Sequence, residues 1–108
     1  MSYKVRITEK AESDINEALD YIEFHLLNPK AANDLLDKVE AEFTTLTEMP
    51  EKHQLIEDPL LSTWGIRHLV INNYVAFFMI DEKRKTVYVL RFLYGKRNWI
   101  KILKEEPF

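Results

Sequence analysis

The sequence has no cysteine, which excludes disulfides and Cys-based zinc sites and agrees with a reducing compartment. It has only two glycines, Gly65 and Gly95, so it carries neither a phosphate-cradling glycine loop nor a Gly-x-Ser-x-Gly nucleophile turn. No apolar run approaches the roughly 20 residues that a membrane-spanning helix needs. The longest, Tyr74 to Ile80, is the size of a strand. The opening stretch Met1 to Arg6 lacks the apolar core of a signal peptide, so the expected compartment is the cytoplasm. The three histidines, His25, His53 and His68, fall at no metal-ligand spacing, and neither a metal nor a cofactor is expected.

What is present fits one domain spanning residues 1–108, with enough apolar residues for one core. The net charge of −3 hides an asymmetry. Residues 1–60 hold 6 Lys/Arg against 14 Asp/Glu, whereas residues 61–104 hold 9 Lys/Arg against 2 Asp/Glu. The basic half either faces phosphates or an acidic partner, or simply balances a solvated acidic pair of helices.

Periodicity divides the chain in the same place. Tyr3, Val5 and Ile7 alternate with Lys4 and Arg6, as in a short half-buried strand. Thr8 stands as a helix N-cap, with Glu9 and Glu12 in the first turn. Ala11, Ile15, Ala18, Leu19, Ile22 and Leu26 form one helical stripe, and the acidic residues opposite it, Asp14 among them, read as a solvated face. Asn28-Pro29 breaks this helix and opens a second, with Ala32, Leu35, Leu36, Val39, Phe43 and Leu46 on its apolar side. Met49-Pro50 ends it, and Glu51 to Leu61 reads as a loop with a short extended piece at Gln54 to Glu57.

Beyond Gly65 the period becomes that of strands: Ile66 to Ile71, an Asn72-Asn73 turn, Tyr74 to Ile80, a charged turn at Asp81 to Lys85, and Thr86 to Leu93. Arg97 to Lys104 suits a short terminal helix. The expected fold is α+β: an N-terminal strand, an antiparallel helix hairpin on one face, then a three- to four-strand antiparallel meander with a short C-terminal helix. Tyr88, Leu90 and Phe92 are expected to share one core-facing side of the last strand.

The segment Val89 to Trp99 concentrates the candidate chemistry. Arg91 lies inside a strand that ends at Gly95, where the backbone can approach a ligand closely. Lys96 and Arg97 follow at once, and Arg67 adds a cation on the sheet. Such cations suit phosphate binding or charge stabilisation. The competing reading is a sheet-edge cluster that deters aggregation. Trp64 and Trp99 flank the sheet, where an aromatic ring serves either packing or base stacking. His68 is either a general base or a hydrogen-bonded strand histidine.

The residues Arg67-His68-Leu69, the strand Tyr74 to Phe78, and Leu90-Arg91-Phe92-Leu93-Tyr94-Gly95-Lys96-Arg97 resemble the C-terminal half of RelE/ParE toxins of bacterial toxin–antitoxin systems. The opening Tyr3 to Thr8, the helix with Ala11, Asp14 and Ile15, and the hairpin ending at Met49-Pro50 extend the likeness over nearly the whole chain. The resemblance implies a growth-arresting toxin, of the kind associated with plasmid stabilisation, and a cognate antitoxin that wraps it. It expects no membrane and no small-molecule substrate. RelE-like members cleave mRNA on the ribosome without a metal; for that activity Arg97, Lys96 and Arg67 would be the catalytic residues. ParE-like members inhibit DNA gyrase; for them the target-binding set is Arg67, Arg91, Tyr94, Lys96, Arg97 and Trp99. Tyr74 is followed by Val75 where the RelE arm has an arginine, and no tyrosine follows Arg97. These departures favour the gyrase reading. A third alternative is a degenerate toxin that only binds its antitoxin.

Overall fold

Thr8 is where the chain turns from strand to helix, and it holds both. Its backbone is extended, its Oγ1 accepts the Ala11 N–H at 3.2 Å, and its hydroxyl donates to the Leu90 carbonyl at 3.1 Å. The first helix is thereby capped and tied to the last strand at one residue. The computed structural model describes residues 2–106.

Strand β1 (Lys4–Ile7) leads into helix α1 (Glu9–Asp20), a π-helical turn at Tyr21–His25 and helix α2 (Pro29–Thr45). A 3-10 turn at Pro50–Lys52 and the short helix α3 (Pro59–Thr63) precede β2 (Arg67–Ile71), β3 (Tyr74–Asp81), β4 (Thr86–Tyr94) and α4 (Trp99–Glu105). The caps are those the sequence offers. Asn28 accepts from Ala31 N–H with Pro29 next to it, Asp58 accepts from Leu60 and Leu61, and Asn98 caps α4.

The sheet order is β1-β4-β3-β2. The meander β2-β3-β4 is antiparallel, as expected, while β1 joins the outer side of β4 in parallel. Helices α1 and α2 bury Ala11, Ile15, Ala18, Leu35, Val39 and Phe43 against one face, with Leu69, Phe78, Val87, Val89 and Phe92. The second face is covered too, as the nearly all-apolar central strand β3 requires. Ile56, Leu61 and Leu103, from the loop, α3 and α4, close over Ile66, Phe77, Leu90 and Leu93. The segment Glu51 to Leu61, expected as a loop with a short extended piece, has that piece in the Leu55–Arg67 bridge, contains the helix α3 as well, and serves as a lid on the second core.

Three local departures follow from backbone geometry. First, α1 does not run on to Leu26 as a regular helix. Leu26 N–H donates to Tyr21 O and Asn28 N–H to Ile22 O, a wide turn that sets later residues back by about 100°. Leu26 therefore leaves the stripe and is 56% exposed, with Tyr21, Phe24 and Leu27 beside it. Second, β4 carries a bulge: Phe77 pairs with Arg91 and Phe78 with Val89, so Leu90 is the extra residue. Tyr88 and Leu90 join the second core while Phe92 returns to the first, so the three do not share a face. Third, Ile7 lies at the outer edge and is exposed.

Asp14 is not part of a solvated face. β1 stops at Ile7, so beyond Val89 the outer edge of β4 has no strand neighbour among the described residues. Asp14 of α1 fills that place: its Oδ2 accepts the Phe92 N–H at 3.0 Å and Arg91 Nε at 2.7 Å, and its Oδ1 accepts from the same guanidinium at 3.0 Å. The pair is almost wholly enclosed, and Glu106 adds a contact to Arg91 at 3.3 Å.

Candidate functional site

The end of the sheet opposite the β3–β4 turn meets the helix hairpin at a cleft of about 790 Å³. Its floor is an aromatic ladder. Tyr74 stacks on Phe92 at 5.0 Å between centroids with planes 9° apart, and meets Tyr94 edge-on at 5.8 Å. These are offset and edge-to-face arrangements that aromatic quadrupoles favour. Burial pushes the Tyr74 phenol above its ordinary value, and the nearby Tyr94 and Tyr21 hydroxyls add to the shift. The opposite wall comes from Glu17, Ala18, Tyr21, Ile22 and Leu26.

Register puts the ladder there. Counting back from the Asp81–Thr86 pair without a bulge would set Tyr74 opposite Leu93; the bulge at Leu90 moves its partner to Tyr94. Gly95 then closes the strand end. Its N–H donates to Asn73 O at 2.8 Å, and a Cβ would stand 3.2 Å from that carbonyl. The close approach that Gly95 permits is therefore to the chain's own hairpin turn, not to a ligand. Arg97 N–H donates to Tyr94 O and Trp99 N–H to Arg97 O, so the basic pair sits on a tight turn at the cleft mouth.

The sequence-derived set divides. Tyr94 and Arg97 both line the cleft, and Lys96 is exposed beside them. Among the described residues, neither Lys96 nor Arg97 has an ion-pair partner. Arg91 is 5% exposed and held by Asp14, whose hydrogen bond pushes its guanidinium further above the ordinary range. Arg67 lies on the distant edge strand and donates to Glu51 O at 3.2 Å and His53 O at 2.6 Å. Trp99 packs on Phe77 at 5.2 Å against the second core. Arg67, Arg91 and Trp99 thus each have partners within the chain, whereas Tyr94, Lys96 and Arg97 are the exposed members of the set. Among the described residues no group of three or more His, Asp or Glu is placed to hold a metal ion. No helix among them is long and apolar enough to cross a membrane.

Sequence reasoning missed Tyr21, Tyr74 and Phe92 as site residues. Each was read as an element of a helix or strand, and no motif marks an aromatic ladder that depends on a bulge.

A sequence profile described as "ParE toxin of type II toxin-antitoxin system, parDE" matches residues 5–99. The chain belongs to the ParE toxin family. Solved structures share the fold of this ParE-family chain. The chromosomal ParDE toxin–antitoxin system from P. aeruginosa superposes with a TM-score of 0.72 at 19% identity, covering 88% of this chain and 98% of that one. The RelBE2 toxin–antitoxin complex from Mycobacterium tuberculosis gives 0.59 at 24% identity, covering 87% and 99%. The RelE-RelB complex from Pyrococcus horikoshii OT3 gives 0.59 at 17% identity, covering 90% and 99%. No protein of curated function matches the sequence.

Proposed function

We propose that this ParE-family chain is the growth-arresting toxin of a type II toxin–antitoxin pair, acting in the cytoplasm by binding DNA gyrase rather than by cutting RNA. One observation carries the choice: the open cleft keeps Tyr94 and Arg97 beside Lys96, while Arg67, the sheet cation of the nuclease set, is held by the carbonyls of Glu51 and His53. A sheet-borne nuclease aims such cations at the scissile phosphate while a ribose hydroxyl attacks. What stays accessible is a cleft with Tyr74, Tyr94 and Arg97, beside Lys96. Tyrosine and arginine around an apolar floor are the side chains that anchor protein–protein contacts. The structural neighbours are toxin–antitoxin complexes, which supports a cognate antitoxin as the partner that restrains this chain.

The test combines a gyrase supercoiling assay on the purified chain with transcript 5′-end mapping minutes after its induction without antitoxin. The expected result is inhibited supercoiling with intact transcripts; in Arg97→Ala the inhibition and the growth arrest weaken together and transcripts remain intact. In-frame cuts within translated codons that vanish in Arg97→Ala would replace this reading with a ribosome-dependent nuclease that works through Lys96 and Arg97. A chain that neither arrests growth nor touches gyrase, yet binds its antitoxin, would be a degenerate toxin.

A further inference from the structure

Pro50 to Ile56 crosses the start of β2 as a strap. Arg67 donates to the carbonyls of Glu51 and His53, His68 N–H donates to Gln54 O at 3.2 Å, and Ile56 N–H donates to Ile66 O at 3.0 Å. Leu55 forms an isolated antiparallel bridge with Arg67. The strap begins at Met49, a non-glycine residue in the left-handed region at φ 49°. It is held shut from one side by hydrogen bonds and strained at its hinge.

Two imidazoles with an unmet need sit at this junction, His53 on the strap and His68 on β2. His53 sits edge-on to Phe78 at 5.7 Å, and its Nε2 is buried with no hydrogen-bond partner among the described residues; His68 Nδ1 is in the same condition. A neutral imidazole leaves one nitrogen as an acceptor, whereas the protonated ring has two N–H donors. A charged donor enclosed without an acceptor is strongly disfavoured. The charged and titratable groups facing His53 are Lys52 in its own turn, Arg67 and His68 from β2, and Glu42 from α2. Only Glu42 favours the proton. Burial and then Lys52 lead in pushing the His53 ring below its ordinary 6.5, with His68 and Arg67 adding to them.

We infer that Pro50 to Ile56 is an acid-sensitive strap: uptake of a proton by His53 releases it from β2, baring that strand edge and freeing the Arg67 guanidinium. The sign follows from linkage. Above 6.5 both closed and open forms carry neutral His53, and pH has no effect through it. Below that value the open form takes the proton first, so the closed form loses ground until the lowered closed-state pKa is passed.

The experiment is NMR on the whole chain. It reads the His53 titration and the amide exchange of Ile56 and His68 at about pH 7.5 and about pH 5.5, either side of the ordinary imidazole value and corrected for intrinsic exchange. The expected result is a His53 pKa below 6.5 and lower protection of both amides on the acid side, by up to about tenfold at one pH unit below 6.5. His53→Gln, neutral throughout, should hold protection level across the same range. A His53 pKa at or above 6.5, equal protection at both pH values, or the same acid loss in His53→Gln would each overturn the strap. The wild-type titration decides the matter even where the variant fails to fold.

Discussion

The guanidinium of Arg91 and the carboxylate of Asp14, 77 positions apart, form a two-pronged ion pair at 2.7 and 3.0 Å in which each side chain is at most 10% exposed. The same carboxylate takes the Phe92 N–H at the open edge of β4. One side chain of α1 therefore completes the hydrogen bonding of a strand and neutralises a buried cation.

Removing one partner leaves the other charge enclosed and unpaired. Asp14→Ala should lower the unfolding free energy by about 3–5 kcal/mol, as for other broken buried pairs. Arg91→Met in the same chain should recover part of that loss. Urea denaturation of the single and double variants measures both; a loss confined to a few tenths of a kcal/mol would make the pair a surface contact.

Lys96 and Arg97 carry no ion pair among the described residues and are exposed, so their loss should leave the fold intact. Arg97→Ala and Lys96→Ala should change unfolding free energy by no more than about 0.5 kcal/mol, the ordinary range for surface substitutions. Growth arrest on induction should nevertheless be weakened, and most by Arg97→Ala, which alters the cleft itself. An Arg97→Ala chain that arrests growth as wild type does would remove this arginine from the site.

Trp99 and Tyr94 should separate in the opposite way. Trp99 packs on Phe77, so Trp99→Ala should cost about 3 kcal/mol by thermal or urea unfolding, toward the lower end for an aromatic truncated in a core because the ring is only partly buried. Tyr94 is 39% exposed at the cleft, so Tyr94→Ala should affect target binding more than stability. Comparing growth arrest with unfolding midpoints for the two variants tests the division.

Asp58 joins α3 to α4 through a 2.9 Å contact with Lys104 while capping α3. The Lys104 hydrogen bond and then the Leu61 N–H hold its carboxyl below the ordinary 3.8. A carboxylate with a depressed folded-state pKa adds stability above its unfolded value and loses it as pH falls through the folded value. The contribution is therefore complete at neutral pH and fades below 3.8. Urea midpoints followed into acid should fall less steeply for Asp58→Asn than for the wild-type chain.

Most of the fold was legible because its cues are local. The cap at Thr8, the break at Asn28-Pro29, the stripe Ala32 to Leu46 and the change of period after Gly65 each act within a few residues. The parallel seat of β1 beside β4 was not, since nothing within Lys4 to Ile7 says which strand it will meet. The candidate site was legible in half. Tyr94, Lys96 and Arg97 were found from the strand end and its basic pair, whereas Tyr74 and Phe92 needed the register.

The sequence alone determined the α+β order, the caps, the hairpin of helices and the position of the basic turn after Gly95, because period, capping and turn chemistry are written in near neighbours. Tertiary structure decided which charged residues are free. Arg91 and Arg67 read as candidate binding cations and Asp14 as a solvated carboxylate until distant partners held them, and Tyr74 became the floor of a cleft only when one extra residue at Leu90 moved its partner from Leu93 to Tyr94. The reason is physical: burial, ion pairing and strand register are relations between positions far apart in the chain, and they arise only when the chain is closed upon itself.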